Sequence, residues 1–253
     1  MIYFCAVQVS KKDIKLVRSL GQKKFRNETG LFIAEGLKLC REAIASKWDI
    51  HSIYTTDEAF LDEASDAIKV TSAEMKMISQ LTTPSPYLCV IHQQEAHMDL
   101  STKPLLCVMD GVSDPGNLGT MIRTADWFGI RHILCSTDCV ESTNPKVVQS
   151  TMGSIFRVQV AYLPTSELIH RVQQAGYTLS GAVLDGTTMF DCQLTSDHAL
   201  VIGSESHGIS PEMQQALQLK ITIPGVPGAE SLNASVAAGI LMSEFHRQRN
   251  SPL

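Results

Sequence analysis

The hydrophobic positions in the second half of the chain alternate between two spacings. Short apolar runs typical of buried strands are separated by segments in which apolar residues recur every three or four positions, as in helices. The predicted strands are "LLCVMDG", "RHILCS", "RVQVAY", "TLSGAVL", "HALVIGS" and "KITIPG". The predicted helices are "NLGTMIRTADWFG", "NPKVVQSTMG", "SELIHRVQQAG", "PEMQQALQ" and a long last helix from about residue 231. This alternation predicts an α/β fold with a mostly parallel sheet covered on both faces.

The helix predicted at 117–129 has one apolar face. Its residues at positions i, i+3, i+4 and i+7 are expected to face the core: Leu118, Met121, Ile122 and Ala125. Arg123 lies off this face, so it is either a solvated side chain or a group with a function. Asn144 before Pro145 predicts a helix N-cap, and Gly129 and Gly176 predict helix ends.

The first hundred residues predict a smaller α/β domain. "GLFIAEG" and "IHSIYTT" are typical of strands, and "LKLCREAIAS" between them is typical of an amphipathic helix. The apolar pattern then lapses over "QQEAHMDLSTKP", which predicts a linker. We therefore predict a first domain at 1–95, a linker at 96–103 and a second domain at 104–253.

The composition is that of a soluble globular protein. The chain has 253 residues, of which 44% are hydrophobic and 19% charged, and no apolar run reaches the roughly 20 residues that cross a membrane. The beginning "MIYFCAVQV" lacks a basic leader, so we expect a cytoplasmic protein. Its seven scattered cysteines predict reduced, mostly buried thiols. Cys135 and Cys139 have no second pair at zinc spacing, so no metal is expected.

Positive charge is concentrated near the beginning of the chain, although the net charge is −5. Residues 11–26 hold seven of the 21 lysines and arginines. If this segment is helical, Lys11, Lys15 and Arg18 share one face and form a cationic stripe of the kind that binds phosphates. The alternative is a solvated amphipathic helix. Further candidates for RNA binding follow the stripe: Lys23, Lys24 and Arg26.

Three turns rich in Gly, Pro, Ser and Asn follow predicted strands: "SDPGNLG" (113–119), "GSESHGISPE" (203–212) and "PGVPGAESLNAS" (224–235). Turns at the carboxyl ends of parallel strands are where open α/β folds bind ligands. Backbone exposed by glycine suits a nucleoside, which needs both donors and acceptors. No GxGxxG or GxxxxGK[ST] motif is present, so the usual motifs of dinucleotide and ATP binding are missing. "GSESHG" differs from the GxSxG nucleophile turn, which argues against a serine hydrolase.

Three segments that include these turns resemble, in order, the signature motifs of the SpoU, or TrmH, branch of the SPOUT RNA methyltransferases: "DGVSDPGNLGTMIRTADWFG", "LVIGSESHGIS" and "ITIPGVPGAESLNASVAAGILMSE". The earlier "KKFRNETGLFIAEGLKL" resembles the L30e-like substrate-binding domain that precedes many of these catalytic domains. The resemblance covers nearly the whole chain. It implies a catalytic domain with a trefoil knot, an exception to the rule against knots.

The resemblance also implies an activity: a homodimer that binds S-adenosylmethionine and methylates ribose 2′-hydroxyls of structured RNA, with ribosomal RNA ahead of tRNA. It assigns cofactor contacts through the backbone to Gly203, Ile223 and Leu232. It assigns catalysis and site architecture to the remaining motif positions: Asn117, Arg123, Glu205, Ser231 and Asn233. Two positions depart from the common pattern, Ser204 for Asn and Gly225 for Met, and the second change affects the wall of the cofactor pocket.

The chemistry suggests roles but leaves alternatives open. The enzyme must align the ribose oxygen with the sulfonium methyl group and manage the hydroxyl proton. We expect Arg123 to hold the phosphate beside the target ribose, since a guanidinium loses its proton reluctantly. Glu205 either is the general base, hydrogen-bonds the backbone of its loop or contacts the other copy in a dimer. Ser231 and Asn233 either cap the last helix or contact RNA or an arginine.

The last helix begins with small residues that allow close packing inside a knot or across a dimer: Ala234, Ala237, Ala238 and Gly239.

Two other functions compete with ribose methylation. One is a non-catalytic RNA-binding or ribosome-assembly protein that keeps the fold, and the other is a base methyltransferase.

Overall fold

A computed structural model describes residues 9–194, 197–226, 228 and 230–250, the last of them by its backbone only. The strands of these residues are β1 (Leu31–Glu35), β2 (Ile50–Thr55), β3 (Ile68–Lys69), β4 (Tyr87–His92), β5 (Leu106–Asp110), β6 (His132–Ser136), β7 (Gln159–Leu163), β8 (Thr178–Thr188), β9 (His198–Gly203) and β10 (Leu219–Thr222). The helices are α1 (Lys11–Ser19), α2 (Lys23–Thr29), α3 (Leu37–Ala45), α4 (Phe60–Glu63), α5 (Ser72–Ile78), α6 (Pro115–Trp127), α7 (Pro145–Thr151), α8 (Thr165–Gln174), α9 (Pro211–Ala216) and α10 (Ala234–Asn250).

The chain forms two compact units. The first contains the described residues up to Gln94 together with Thr143–Phe156, and the second contains Glu95–Ser142 and the residues from Arg157 onward. In the first unit α7 packs against β1. The sequence analysis placed this segment in the second domain. The predicted division of the chain into domains at 1–95 and 104–253 stays a prediction.

The first unit is built on a four-stranded mixed sheet in the order β1-β4-β2-β3. β4 runs antiparallel to both of its neighbours, and β2 and β3 are parallel. The predicted strands that became β1 and β2 and the predicted helix that became α3 are confirmed. The inner strand β4 was not predicted, although "YLCVIH" is an apolar run like the others.

The second unit contains a six-stranded sheet in the order β10-β8-β9-β5-β6-β7. Every neighbouring pair in this sheet is parallel, which confirms the predicted architecture. Parallel strands need long crossover connections, and a helix lies in each connection between consecutive strands of this sheet except the one from β8 to β9, where none is described. The last helix begins at Ala234, three residues later than expected. The trefoil knot stays a prediction.

Local signals in the sequence explain how α6 is placed. All four residues of its predicted apolar face are fully buried: Leu118, Met121, Ile122 and Ala125. The helix is capped by Asp114, followed by Pro115 in the first turn, and ends before Gly129, whose φ is +74°. The same Asx-Pro start is seen at α7, where the predicted cap Asn144 accepts a hydrogen bond from the Lys146 amide at 2.9 Å. α6 therefore starts at a fixed position after β5.

The six cysteines of the described residues are free and buried, as predicted for reduced thiols: Cys40, Cys89, Cys107, Cys135, Cys139 and Cys192. No helix in the described ranges combines the length and the apolarity that spanning a bilayer requires.

Candidate functional site

The structure brings the three predicted turns together at one edge of the parallel sheet. The side-chain amide of Asn117, from the first turn, donates to Glu205 Oε2 in the second turn at 2.7 Å. The amide of Asn233, from the third turn, donates to the same Glu205 oxygen and to Asn117 Oδ1, both at 3.0 Å. These three residues, called the Asn–Glu–Asn triad below, connect the turns after β5, β9 and β10. The arrangement fixes a carboxylate between two amides.

Each asparagine of the triad is held by a helix start. The amide N–H of Asn117 donates to the capping carboxylate of Asp114 at 2.7 Å, and the Asn117 side chain is 9% exposed. Asn233 Oδ1 accepts the amide N–H of Ser235 at 3.0 Å and that of Val236 at 3.4 Å. Asn233 therefore caps α10 with its oxygen, which is one of the two roles predicted for it, and hydrogen-bonds to Asn117 and Glu205 with its nitrogen. A contact of Asn233 with RNA or an arginine stays a prediction.

The second turn is rigid. Ser204 and Gly208 exchange two backbone hydrogen bonds of 2.9 Å, which fold the turn back onto the end of β9. A Cβ on Gly203 would overlap the backbone of Gly208 and Ile209. The buried carboxylate of Asp110 accepts the amide N–H of Ser210 at 2.6 Å. Sequence reasoning missed Asp110, although a carboxylate that ends an apolar strand was a visible signal.

Side chains at and after the carboxyl end of β6 hold the backbone that leads into the first turn. Gly111 donates its N–H to Ser136 Oγ at 2.9 Å, and Val112 donates its N–H to Cys139 Sγ at 3.2 Å. Hydrogen bonding by the Cys135 thiol, helped by Ser136 and the Val112 amide, lowers the pKa of Cys139 against the opposing effect of burial. These contacts give the thiol a structural role in the turn. No group of three or more His, Cys, Asp or Glu side chains suited to a metal occurs within the described ranges.

A cleft of about 410 Å³ opens beside the triad, and its walls come from all three turns: Val112, Ser113, Asp114, Asn117, Glu205, Ser206 and Ala234. This volume lies in the range of small-molecule sites, roughly 300 to 1,000 Å³. The backbone of 223–226 and 230–232, in the third turn, makes no hydrogen bond to another described residue. N–H and C=O groups without a partner among the described residues suit a ligand that carries both acceptors and donors.

The other predicted site residues of this unit differ in exposure and in their position relative to the cleft. Ile223 is half-buried, while Ser231 and Leu232 are exposed in the third turn. Arg123 is exposed on α6, lies outside the walls of the cleft, and makes no hydrogen bond or ion pair with another described residue. It follows Asn117 by six residues, which turns it about 120° away around the helix. The structure therefore does not bring Arg123 to the cleft of its own chain.

In the first unit, the predicted cationic stripe lies on a helix as expected. α1 starts with a capping box between Ser10 and Asp13, and its Val17 is buried in the core. The side chains of the stripe are exposed: Lys11, Lys15 and Arg18. Lys23 and Lys24 are likewise exposed on α2. This exposure fits phosphate binding and a solvated face equally.

Arg26 is a correction to the predicted RNA-binding residues. Its side chain is only 2% exposed, and its guanidinium donates to the carbonyl oxygens of Leu20 and Gly21 at 3.1 Å each. A buried charge with backbone partners holds the connection between α1 and α2 in place. It is therefore not available to a phosphate.

Comparison with known families agrees with the motifs. The SpoU rRNA Methylase family model matches residues 104–243, which is more than half of the chain and contains the triad. The MRM3-like substrate binding domain model matches residues 11–89.

Individual relatives are similar along almost their whole length. The 23S rRNA (guanosine(2553)-2′-O)-methyltransferase RlmP of Bacillus subtilis (strain 168) is 30% identical over 236 residues, covering 91% of this chain and 94% of that protein. The solved structure of a TrmH-family protein from Porphyromonas gingivalis is 36% identical, with a TM-score of 0.85 over 95% of this chain and 99% of that one. The AdoMet-bound rRNA methyltransferase from Sinorhizobium meliloti is 28% identical, with a TM-score of 0.85 over 96% and 98%. The family match and these full-length similarities confirm the resemblance, and the chain belongs to the SpoU rRNA methylase family.

Proposed function

We propose that this protein transfers a methyl group from S-adenosylmethionine to a ribose 2′-hydroxyl of structured ribosomal RNA. The Asn–Glu–Asn triad carries the proposal, because it joins the three family motifs at one cleft. The similar proteins from Bacillus subtilis and Sinorhizobium meliloti are named as rRNA methyltransferases, and the first is named for a 2′-O-methylation. The similarity to bacterial 23S rRNA methyltransferases supports a place in the cytoplasm.

The candidate cofactor contacts belong to the second and third turns but are not among the residues that line the cleft. The cofactor would supply a methyl group that its sulfonium charge has already activated. Gly203, Ile223 and Leu232 would hold it through backbone groups. For Ile223 and Leu232 the support is that the described backbone of the third turn around them has no hydrogen-bond partner among the described residues. Gly225, where Met is common in the family, leaves open space at its missing Cβ. The wall at this position is therefore wider than a methionine would make it.

The triad positions the reacting groups and takes no part in making or breaking covalent bonds. Glu205 Oε2 accepts two amide hydrogens, which fixes the carboxylate against rotation. A fixed site lowers the entropic cost of aligning the ribose oxygen with the methyl group. Ser231 is exposed at the same turn, where its hydroxyl would contact the RNA. We assign Glu205, Asn117 and Asn233 to site architecture.

We further propose a homodimer in which Arg123 of one copy binds the phosphate at the cleft of the other. Arg123 points away from its own cleft, and Thr120, one turn earlier, lines a groove of about 500 Å³ between α6 and α10. The groove, called the α10 groove below, has mostly small or apolar walls: Thr120, Met189, Ser235, Val236, Gly239, Ile240, Ser243 and Glu244. Small side chains allow two helices to approach closely, and a two-fold axis through this groove would exchange the arginines.

Calorimetry and mass spectrometry test the proposed function together. We expect the folded protein to bind S-adenosylmethionine, and total RNA from cells with the protein to contain one ribose methylation that cells without it lack. Nuclease digestion followed by mass spectrometry locates the methyl group. A methyl group on the base would instead indicate a base methyltransferase. Failure of the folded protein to bind the cofactor would favour a non-catalytic RNA-binding protein.

The cationic stripe gives a separate prediction. Replacing Lys11, Lys15 and Arg18 together by alanine should weaken rRNA binding and reduce the slope of log K against log salt by about 2, since each phosphate contact releases roughly 0.7 to 0.9 counterions. Cofactor affinity should not change. The matched control replaces three exposed lysines elsewhere on the same unit: Lys38, Lys47 and Lys76. An unchanged slope for the stripe variant would show that it is only a solvated face.

A further inference from the structure

Trp127 is the most exposed large hydrophobic side chain in the described residues. It is the last residue of α6, its side chain is 84% exposed, and its ring has no aromatic or cationic partner among those residues. The other tryptophan, Trp48, shows the usual situation, because its ring packs edge-on against Phe32 and Phe156 at 5.7 Å each. A solvent-exposed indole of this size is typical of a binding surface.

The ring stands on a rigid support. After Trp127 the chain reverses through Gly129, whose N–H donates to the Asp126 carbonyl at 3.1 Å. The N–H of Ile130 donates to the Ala125 carbonyl at 2.8 Å, which closes the end of the helix. Such C-terminal hydrogen bonds fix the last turn of a helix. The backbone that carries the indole is therefore held in place, so binding to the indole does not require a loop to become ordered.

The surroundings of Trp127 are positively charged. Arg123 lies one helical turn earlier on the same face, and the neighbouring Asp126 carboxylate pairs with Arg131 and, at 2.8 Å, with Arg157. The side chains of these two arginines are 47% and 42% exposed. Two guanidinium groups thus share the Asp126 carboxylate next to Trp127 in the chain, and the third, of Arg123, has no carboxylate partner among the described residues. This combination complements a polyanion with stacking bases, whereas an apolar protein face would have to desolvate the arginines.

We propose that Trp127 stacks on an unpaired RNA base while Arg123, Arg131 and Arg157 bind the flanking phosphates. These four residues are called the α6 platform. The inference rests on the proposed function, because Arg123 belongs to both surfaces and therefore places the stacked base beside the nucleotide that is methylated. The platform requires a methylated segment that is single-stranded or splayed, as sequence-specific RNA recognition usually does.

Fluorescence of Trp127 tests the stacking directly. The chain contains two tryptophans, so Trp48→Phe leaves Trp127 as the single reporter. We expect a 12-nucleotide oligoadenylate to quench its emission, and inorganic polyphosphate, which has charge but no bases, to leave it unchanged. Binding of the oligoadenylate without quenching would overturn the proposal. Emission that is blue-shifted and shielded from iodide in the RNA-free protein would also overturn it, because a second copy of the chain would then cover the ring.

A second experiment uses the otherwise unchanged protein and an rRNA fragment. Trp127→Ala should raise KM for the RNA about tenfold or more, as expected for the loss of one base–aromatic stack, whereas Trp127→Phe should retain most of the affinity. The control Phe190→Ala removes another exposed aromatic ring of the same unit, which is 66% exposed, and should leave KM unchanged. Equal losses in the two alanine variants would contradict stacking. If the wild-type protein transferred no methyl group, the proposed function would fail, while the fluorescence result would still decide the α6 platform.

Discussion

Arg123→Ala is expected to lower kcat/KM for methyl transfer by about 10²- to 10³-fold, the size associated with removing one preorganised charged group from a reaction site. The affinity for S-adenosylmethionine should stay within a few fold, because Arg123 is not among the residues that line the cleft of its own chain. Calorimetry with the cofactor and single-turnover methylation of an rRNA fragment measure the two quantities separately.

The charge and the geometry of Arg123 can be separated with two further variants. Arg123→Lys keeps the charge but loses the planar, bidentate grip on a phosphate, so it should recover only part of the activity. Arg171→Ala removes another exposed arginine, on α8, and should leave the rate unchanged. A large loss of cofactor affinity in Arg123→Ala would move this residue into the cofactor pocket and contradict its assigned role.

Mixing two inactive variants tests the exchange of Arg123 between copies. In a dimer of Arg123→Ala with Glu205→Ala, one of the two clefts keeps Glu205 and receives an intact Arg123 from the other copy. Equal amounts of the two variants, refolded together, should therefore regain roughly a quarter of the wild-type activity if dimers form at random. If each arginine serves its own chain, no complete site can form and the mixture should stay inactive.

Gly203→Ala is expected to abolish cofactor binding and to lower the free energy of unfolding by about 2 to 4 kcal/mol. A Cβ at this position would overlap the backbone of Gly208 and Ile209 rather than the movable end of a side chain. Relief of the overlap must open the two hydrogen bonds between Ser204 and Gly208, and Glu205 would move with the turn. Urea denaturation and calorimetry with S-adenosylmethionine measure the two effects.

Gly225→Ala is the matched control for this substitution. It adds the same methyl group to the third turn, where no atom lies within 4 Å of the new Cβ. Its unfolding free energy should therefore change by less than about 0.5 kcal/mol. If Gly203→Ala were as stable as the wild-type protein, or if the two substitutions had equal effects, the second turn would be less tightly closed than it is in the structure.

The sequence determined where several helices begin, end and face the core. The apolar face of α6, the cap at Asn144 and the helix ends at Gly129 and Gly176 depend on residues within one or two turns of each other. Such short-range preferences are present in any segment, whatever surrounds it. The parallel arrangement followed from the alternation of strands and helices, and with it the expectation that three turns share one edge.

The tertiary structure decided which side chains meet and which are hidden. Asn117 is 88 positions from Glu205 and 116 positions from Asn233, so their hydrogen bonds depend on the order of strands in the sheet. Arg26 belongs to a run of basic residues that appears uniform, yet only the packing of α1 and α2 shows that it is buried. Arg123 turns away from the cleft because a helix fixes its angle to Asn117. Burial and long-range hydrogen bonds are properties of the assembled fold, since they arise only when distant segments exclude water from each other.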